Sequence, residues 1–80
     1  MTPGIVELDL HGRNVWQART AVDAALRRAK GAYRIRVIHG YHGGTALRDA
    51  IRGRYGANGK VKRVELGLNP GQTDLILREF

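Results

Sequence analysis

Eighty residues suffice for one domain, and the 14 Lys and Arg against 7 Asp and Glu give a formal net charge of +7. The chain has no Cys, which excludes a disulfide framework and a thiolate-held zinc or iron–sulfur centre. No apolar run approaches the roughly 18 residues of a membrane span, no charged-then-apolar leader opens the chain, and a 42% hydrophobic share is too high for a disordered basic tail.

Ile5 to Leu10 alternates, with Val6, Leu8 and Leu10 on one side and Glu7, Asp9 and then His11 on the other, which predicts a half-buried strand. Gly12 breaks it. Asn14 is placed as a helix N-cap with Gln17 as its capping-box partner. Val15, Ala18, Val22, Ala25, Leu26 and Ala29 follow at helical spacing, and Asp23 supports Arg27 one turn on. Trp16, in the first turn, is expected to staple the edge of the core. Arg27, Arg28 and Lys30 sit where the helix dipole favours cations, and Gly31 is expected at C′.

Tyr33 to Ile38 predicts a second strand, with Tyr33, Ile35 and Val37 alternating with Arg34 and Arg36. Residues 39–44 read as a glycine-rich loop. Thr45 to Tyr55 predicts a shorter helix with Leu47, Ala50, Ile51 and Tyr55 inward, and residues 56–59 a turn. Val61 to Leu68 predicts a third strand with Val64, Leu66 and Leu68 on one face. Residues 69–72 predict a tight turn with Pro70 and Gly71 in type II positions. Thr73 to Phe80 predicts a fourth strand, with Leu75 and Leu77 opposite Asp74, Ile76 and Arg78.

The order is β-α-β-α-β-β. A strand–helix–strand unit makes the first two strands parallel, and the last two form an antiparallel hairpin. The fold class is therefore α/β (α+β): a two-layer sandwich, a four-stranded mixed sheet with two helices on one face. Its open face is expected to carry Glu7, Asp9, Arg34, Arg36, Arg63, Glu65, Asp74 and Arg78.

The cations are concentrated. Residues 27–63 hold eleven of them against one anion, Asp49, a balance of +10 that points to a polyanionic partner. The three histidines follow the carboxyl ends of the first two strands, the usual ligand position in such a sheet. His11, His39 and His42, with Asp9, Arg13 and donor-rich loops, suit a phosphodiester: the loops and Arg13 hold phosphate, and an imidazole moves protons near neutral pH. Bland readings stand beside this one. Asp9 could pair with Arg36 across the sheet, and His11 could serve only its own turn. The stretch Gly40–Gly43 is literally G-x-x-G, but it follows a strand rather than joining two helices, and it is neither a Walker loop nor G-x-G-x-x-G. A zinc on the three histidines is the weaker reading. Tyr41, at the loop tip, is a better base-stacking candidate than Trp16.

Leu8-Asp9-Leu10-His11-Gly12, followed by a capped amphipathic helix, resembles the L-D-x-H-G motif of the small MutS-related (Smr) domain family. Ile38-His39-Gly40, then Gly44 and Leu47-Arg48, resemble that family's second motif, H-G-x-G with a trailing L-R; here the loop reads H-G-Y-H-G-G. Gly71-Gln72-Thr73-Asp74-Leu75 is similar to its closing G-x-T-x-V hairpin. The resemblance covers residues 5–79. It implies one domain over residues 1–80, stand-alone or cut from a larger protein. It also implies a fold like the C-terminal domain of bacterial translation initiation factor three, nucleic-acid binding and, in many members, endonuclease activity. The family's motif residues fall on Asp9, His11, His39 and Gly40.

The expected function is a nucleic-acid-binding endonuclease, RNA favoured over DNA, with a non-catalytic nucleic-acid- or ribosome-binding module as the alternative. Asp9, His11 and His39 are the expected catalytic residues. Gly12, Arg13, Arg34, Arg36, Gly40, Tyr41, His42, Gly43, Gly44, Arg48 and Arg52 are expected to grip nucleic acid. Two-imidazole transfer through a 2′-hydroxyl requires no metal, and a Mg or Mn route through Asp9 is the alternative, although one carboxylate is poor for a two-metal site. The expected partners are RNA or DNA and the ribosome, with no membrane, for a cytoplasmic monomer.

Overall fold

The structure is a computed structural model that describes residues 4–28, 31–40, 46–66 and 70–78. Six elements follow in order: β1 (Ile5–Asp9), α1 (Val15–Arg28), β2 (Arg34–Ile38), α2 (Ala46–Gly56), β3 (Arg63–Leu66) and β4 (Gln72–Ile76). The strands form one sheet in the order β1-β2-β4-β3. β1 runs parallel to β2, and β4 runs antiparallel to both β2 and β3. The two expected helices, the mixed four-stranded sheet and the closing hairpin are all present.

α1 begins as its sequence demands. The Gln17 N–H donates to Asn14 Oδ1 at 2.8 Å, and the Asn14 N–H donates to Gln17 Oε1 at 3.1 Å. These bonds satisfy amides that have no partner within the helix. Gly31 adopts φ +82°, the left-handed conformation expected of a C′ glycine. Ala18, Val22 and Ala25 of α1 and Ile51 and Tyr55 of α2 meet Ile35, Val37 and Leu75 of the sheet in one core.

Strand order corrects two expectations. β4 lies between β2 and β3, where Arg34 and Arg36 of β2 reach across Asp74: Asp74, expected on the open face, and Ile76, on the same side of the strand, are each 2% exposed. β3 is an edge strand, and Leu66, expected inward with Val64, is 65% exposed at its end. The expected Leu68 and Asn69, the first residue of the expected 69–72 turn, lie outside the described residues, as do Ala29, Lys30, Thr45 and Phe80.

Asp23 does not pair with Arg27. It turns to α2, accepting from Tyr55 Oη at 2.6 Å and from Arg54 Nη2 at 3.3 Å. Burial of the phenol, helped by its bond to Asp23, pushes the Tyr55 pKa up to about 12. The neutral phenol therefore stabilises the fold below the ordinary tyrosine value, and that contribution is lost as pH rises from about 10 to about 12. Tyr55→Phe is expected to cost about 1 kcal/mol at neutral pH, the net worth of one buried hydrogen bond. Urea unfolding of both proteins tests this: the gap should close at strongly alkaline pH, and a gap that widens there would contradict the assignment.

Candidate active site

Parallel pairing puts Asp9 opposite Ile38, so the residues after β1 and β2 leave the sheet at one edge. The Leu10 N–H donates to the Ile38 carbonyl at 2.7 Å, holding the two exits together. The chain then turns sharply: Gly12 has φ +79°, and the Arg13 N–H donates to the Leu10 carbonyl at 3.1 Å.

This turn lays the His11 ring on Asp9. His11 Nδ1 bonds Asp9 Oδ1, and the His11 backbone N–H donates to the same oxygen at 3.3 Å. An ionised carboxylate only accepts, so Nδ1 carries the hydrogen and Nε2 is left as the outward basic atom. Both side chains are open to substrate, at 71% and 55% exposure. The sheet-crossing pair of Asp9 with Arg36 does not form; the register partner of Arg36 on β1 is Glu7.

The hydrogen bond from the His11 ring, then that from its backbone N–H, holds the Asp9 carboxyl below the ordinary aspartate value. The ionised carboxylate, and with it the dyad, therefore persists above that ordinary value and is lost only as pH falls through the lowered one. Carboxyl-carbon NMR titration should show Asp9 moving up in His11→Ala. An unchanged midpoint would mean that the imidazole does not hold it.

His39, expected among the catalytic residues, is turned into the fold. It is 4% exposed, with Nδ1 2.9 Å from the Gly40 carbonyl and Nε2 2.9 Å from Thr73 Oγ1. Facing a carbonyl, Nδ1 carries the hydrogen, and in the neutral ring Nε2 accepts from the Thr73 hydroxyl. Thr73 Oγ1 in turn accepts from Arg52 Nε at 3.0 Å. The His39 and Gly40 N–H groups both donate to the Gly71 carbonyl, at 2.9 and 3.0 Å. His39 therefore braces the second loop against β4. Gly40, at φ +76°, brings that loop beside the dyad, and a Cβ there would lie 3.3 Å from the Cβ of His11.

Gly12 and Arg13 are exposed at the same edge. Arg34 and Arg36 are elsewhere, on the face away from the helices. Arg34 bonds Asp74 Oδ2 at 2.8 Å and Glu65 Oε1 at 3.4 Å, and Arg36 Nε lies 3.6 Å from Asp74 Oδ1. Arg48 bonds its neighbour Asp49 at 3.2 Å. Tyr41, His42, Gly43 and Gly44 lie outside the described residues. Thr73 and Gly71 complete the brace, although only their place in the closing motif marked them. The available signal was a hydroxyl at the inward position of a strand that otherwise turns leucines inward. Trp16 is the reverse correction: expected at the core edge, its side chain is 73% exposed. Among the described residues, no group of three or more His, Cys, Asp or Glu is gathered to hold a metal, and no helix is long and apolar enough to cross a membrane.

The Smr domain family model matches residues 8–71, from the first motif to Gly71, and the chain belongs to that family. This is a family associated with nuclease activity and nucleic-acid binding. The chain is similar to the crystal structure of the Smr domain of Thermus thermophilus MutS2. The two share 35% identity with a TM-score of 0.83, over 92% of this chain and 99% of that one. Among curated proteins, none matches.

Proposed function

We propose that this domain is an endonuclease that cleaves RNA at the Asp9–His11 dyad. The observation that carries the reading is the exposed imidazole with one nitrogen fixed by a carboxylate and the other turned outward. His11 Nε2 takes the proton of a ribose 2′-hydroxyl. The 2′-oxygen then forms a bond to phosphorus as the bond to the 5′-oxygen breaks, and the leaving oxygen takes a proton from solvent. Asp9 is a positioning residue that fixes the tautomer and orientation of His11. Arg13 and the Gly12 and Gly40 turns hold the phosphate. His39 keeps the Gly40 turn in place through Thr73 and Gly71.

The route uses the 2′-hydroxyl and this dyad alone, with no cofactor required. A Mg or Mn ion at Asp9 would instead favour DNA as well. RNA and DNA of one sequence, each with and without EDTA, separate the two: RNA cut in both conditions is expected, and DNA cleavage that vanishes with chelator contradicts it. RNA, free or on the ribosome, is the partner in this reading; the domain acts as a cytoplasmic monomer.

A second reading is a binding module without catalysis. It is favoured by the burial of His39, which leaves His11 the exposed imidazole among the described residues. It requires salt-sensitive binding with no cleavage at any protein concentration.

A further inference from the structure

We infer that Trp16 is a stacking platform for an unpaired nucleobase beside the Asp9–His11 dyad, so that the domain selects single-stranded nucleic acid. The inference rests on the nucleic-acid reading of the dyad and adds to it the form of the substrate.

Trp16 is the second residue of α1, at the sheet edge where His11 leaves β1, and it is the chain's one tryptophan. The direction of the core from α1 is set by Ala18, Val22 and Ala25. Trp16 lies off that face, beside the exposed Arg19 and Thr20, with its indole 73% exposed. Large aromatic side chains add more to a small core than any other residue, so an indole left in water forgoes stabilisation that an 80-residue chain can use. The backbone that carries it is held on both sides. The Asn14–Gln17 capping box fixes the helix start on one side, and the Thr20 hydroxyl donates to the Trp16 carbonyl at 3.0 Å.

Among the described residues, the two large hydrophobic side chains that stand exposed are Trp16 and Leu66. β3 runs parallel to β1 and β2, since β4 opposes both β2 and β3, so Leu66 lies toward the same strand ends as the dyad but across β2 and β4 from it. Of the two, Trp16 is the apolar surface at the exit of β1, where the dyad would meet a phosphodiester. The surroundings decide the occupant. Arg13 and Arg19, both exposed, flank the indole three residues to either side, and the chain carries +7 overall. A flat π-surface between cations suits a base attached to phosphates and is poorly suited to an apolar protein face. A duplex buries the faces of its bases in its own stack, whereas a single strand offers them.

The test is equilibrium binding of a short oligothymidylate, which lacks the 2′-hydroxyl and survives the proposed chemistry, against a DNA duplex of equal length. Indole fluorescence reports Trp16 alone, because the chain holds one tryptophan. The single strand is expected to quench it and the duplex to leave it nearly unchanged. Trp16→Ala should bind the single strand roughly 5- to 100-fold more weakly, as expected for one lost stacked base. Trp16→Phe should recover most of that loss, duplex binding should hold in both variants, and circular dichroism should confirm their fold. If the wild type binds the single strand without quenching, and Trp16→Ala binds it equally, the platform is overturned while the nuclease reading stands. If the wild type binds neither of these nor single-stranded RNA, and sedimentation shows dimers that Trp16→Ala abolishes, both readings fall and the indole is a contact between copies.

Discussion

His11→Ala is expected to cut the rate of RNA cleavage steeply while leaving RNA binding within a few-fold of wild type. Loss of a positioned general base removes about 10²–10⁴-fold in rate. The side chain is 71% exposed and outside the core, so the variant keeps its fold. Asp9→Asn is the sharper companion. An amide facing His11 Nδ1 can offer its N–H as readily as its carbonyl, which releases the tautomer that turns a basic Nε2 outward. Its expected signature is a lower single-turnover rate with little change in substrate affinity. A purely structural Asp9 would instead weaken binding and rate together. Cleavage by His11→Ala at the wild-type rate would remove the dyad from the chemistry.

Asp74→Ala is expected to be the most damaging change to the fold. The carboxylate is 2% exposed, accepts from Arg34 at 2.8 Å and from Gln72 Nε2 at 3.1 Å, and lies 3.6 Å from Arg36. Removing it leaves two guanidinium groups side by side over a covered part of the sheet. Breaking a buried pair costs about 3–5 kcal/mol, and the partial exposure of both arginines brings the expectation down to about 2–3 kcal/mol. Against roughly 4–12 kcal/mol of total stability for a chain of this length, that is a large share. Urea unfolding should show a lower midpoint with an unchanged slope. A midpoint equal to wild type would mean that solvent screens the cluster and that Asp74 contributes little.

Local chemistry was legible, and spatial order was not. The Asn14–Gln17 box, the Gly31 cap and the parallel β1–α1–β2 unit each depend on residues close in sequence, and each formed as the pattern requires. The burial of Asp74 depends on β4 entering between β2 and β3, which chain order does not specify. The burial of His39 depends on Thr73, 34 residues away. The sequence places an imidazole just after β2, but whether it faces solvent or the interior was not readable from it. Trp16 was misplaced for a simpler reason. Each helical residue turns about 100° from the last, and the core direction set by Ala18, Val22 and Ala25 leaves position 16 facing away.

The open face also changes how the charge is understood. Arg34 is engaged by Asp74 and Glu65, and Arg36 sits close to Asp74, so this pair serves the sheet before any phosphate. The exposed cation next to the dyad in the chain is Arg13, outside the strongly basic middle of the chain.

The nature of the ends left on cut RNA tests the central claim most directly. Wild-type protein acting on single-stranded RNA in EDTA should leave a 2′,3′-cyclic phosphate and a 5′-hydroxyl, the products of 2′-oxygen attack assisted by His11. A 3′-hydroxyl with a 5′-phosphate would show water as the nucleophile and contradict the dyad mechanism.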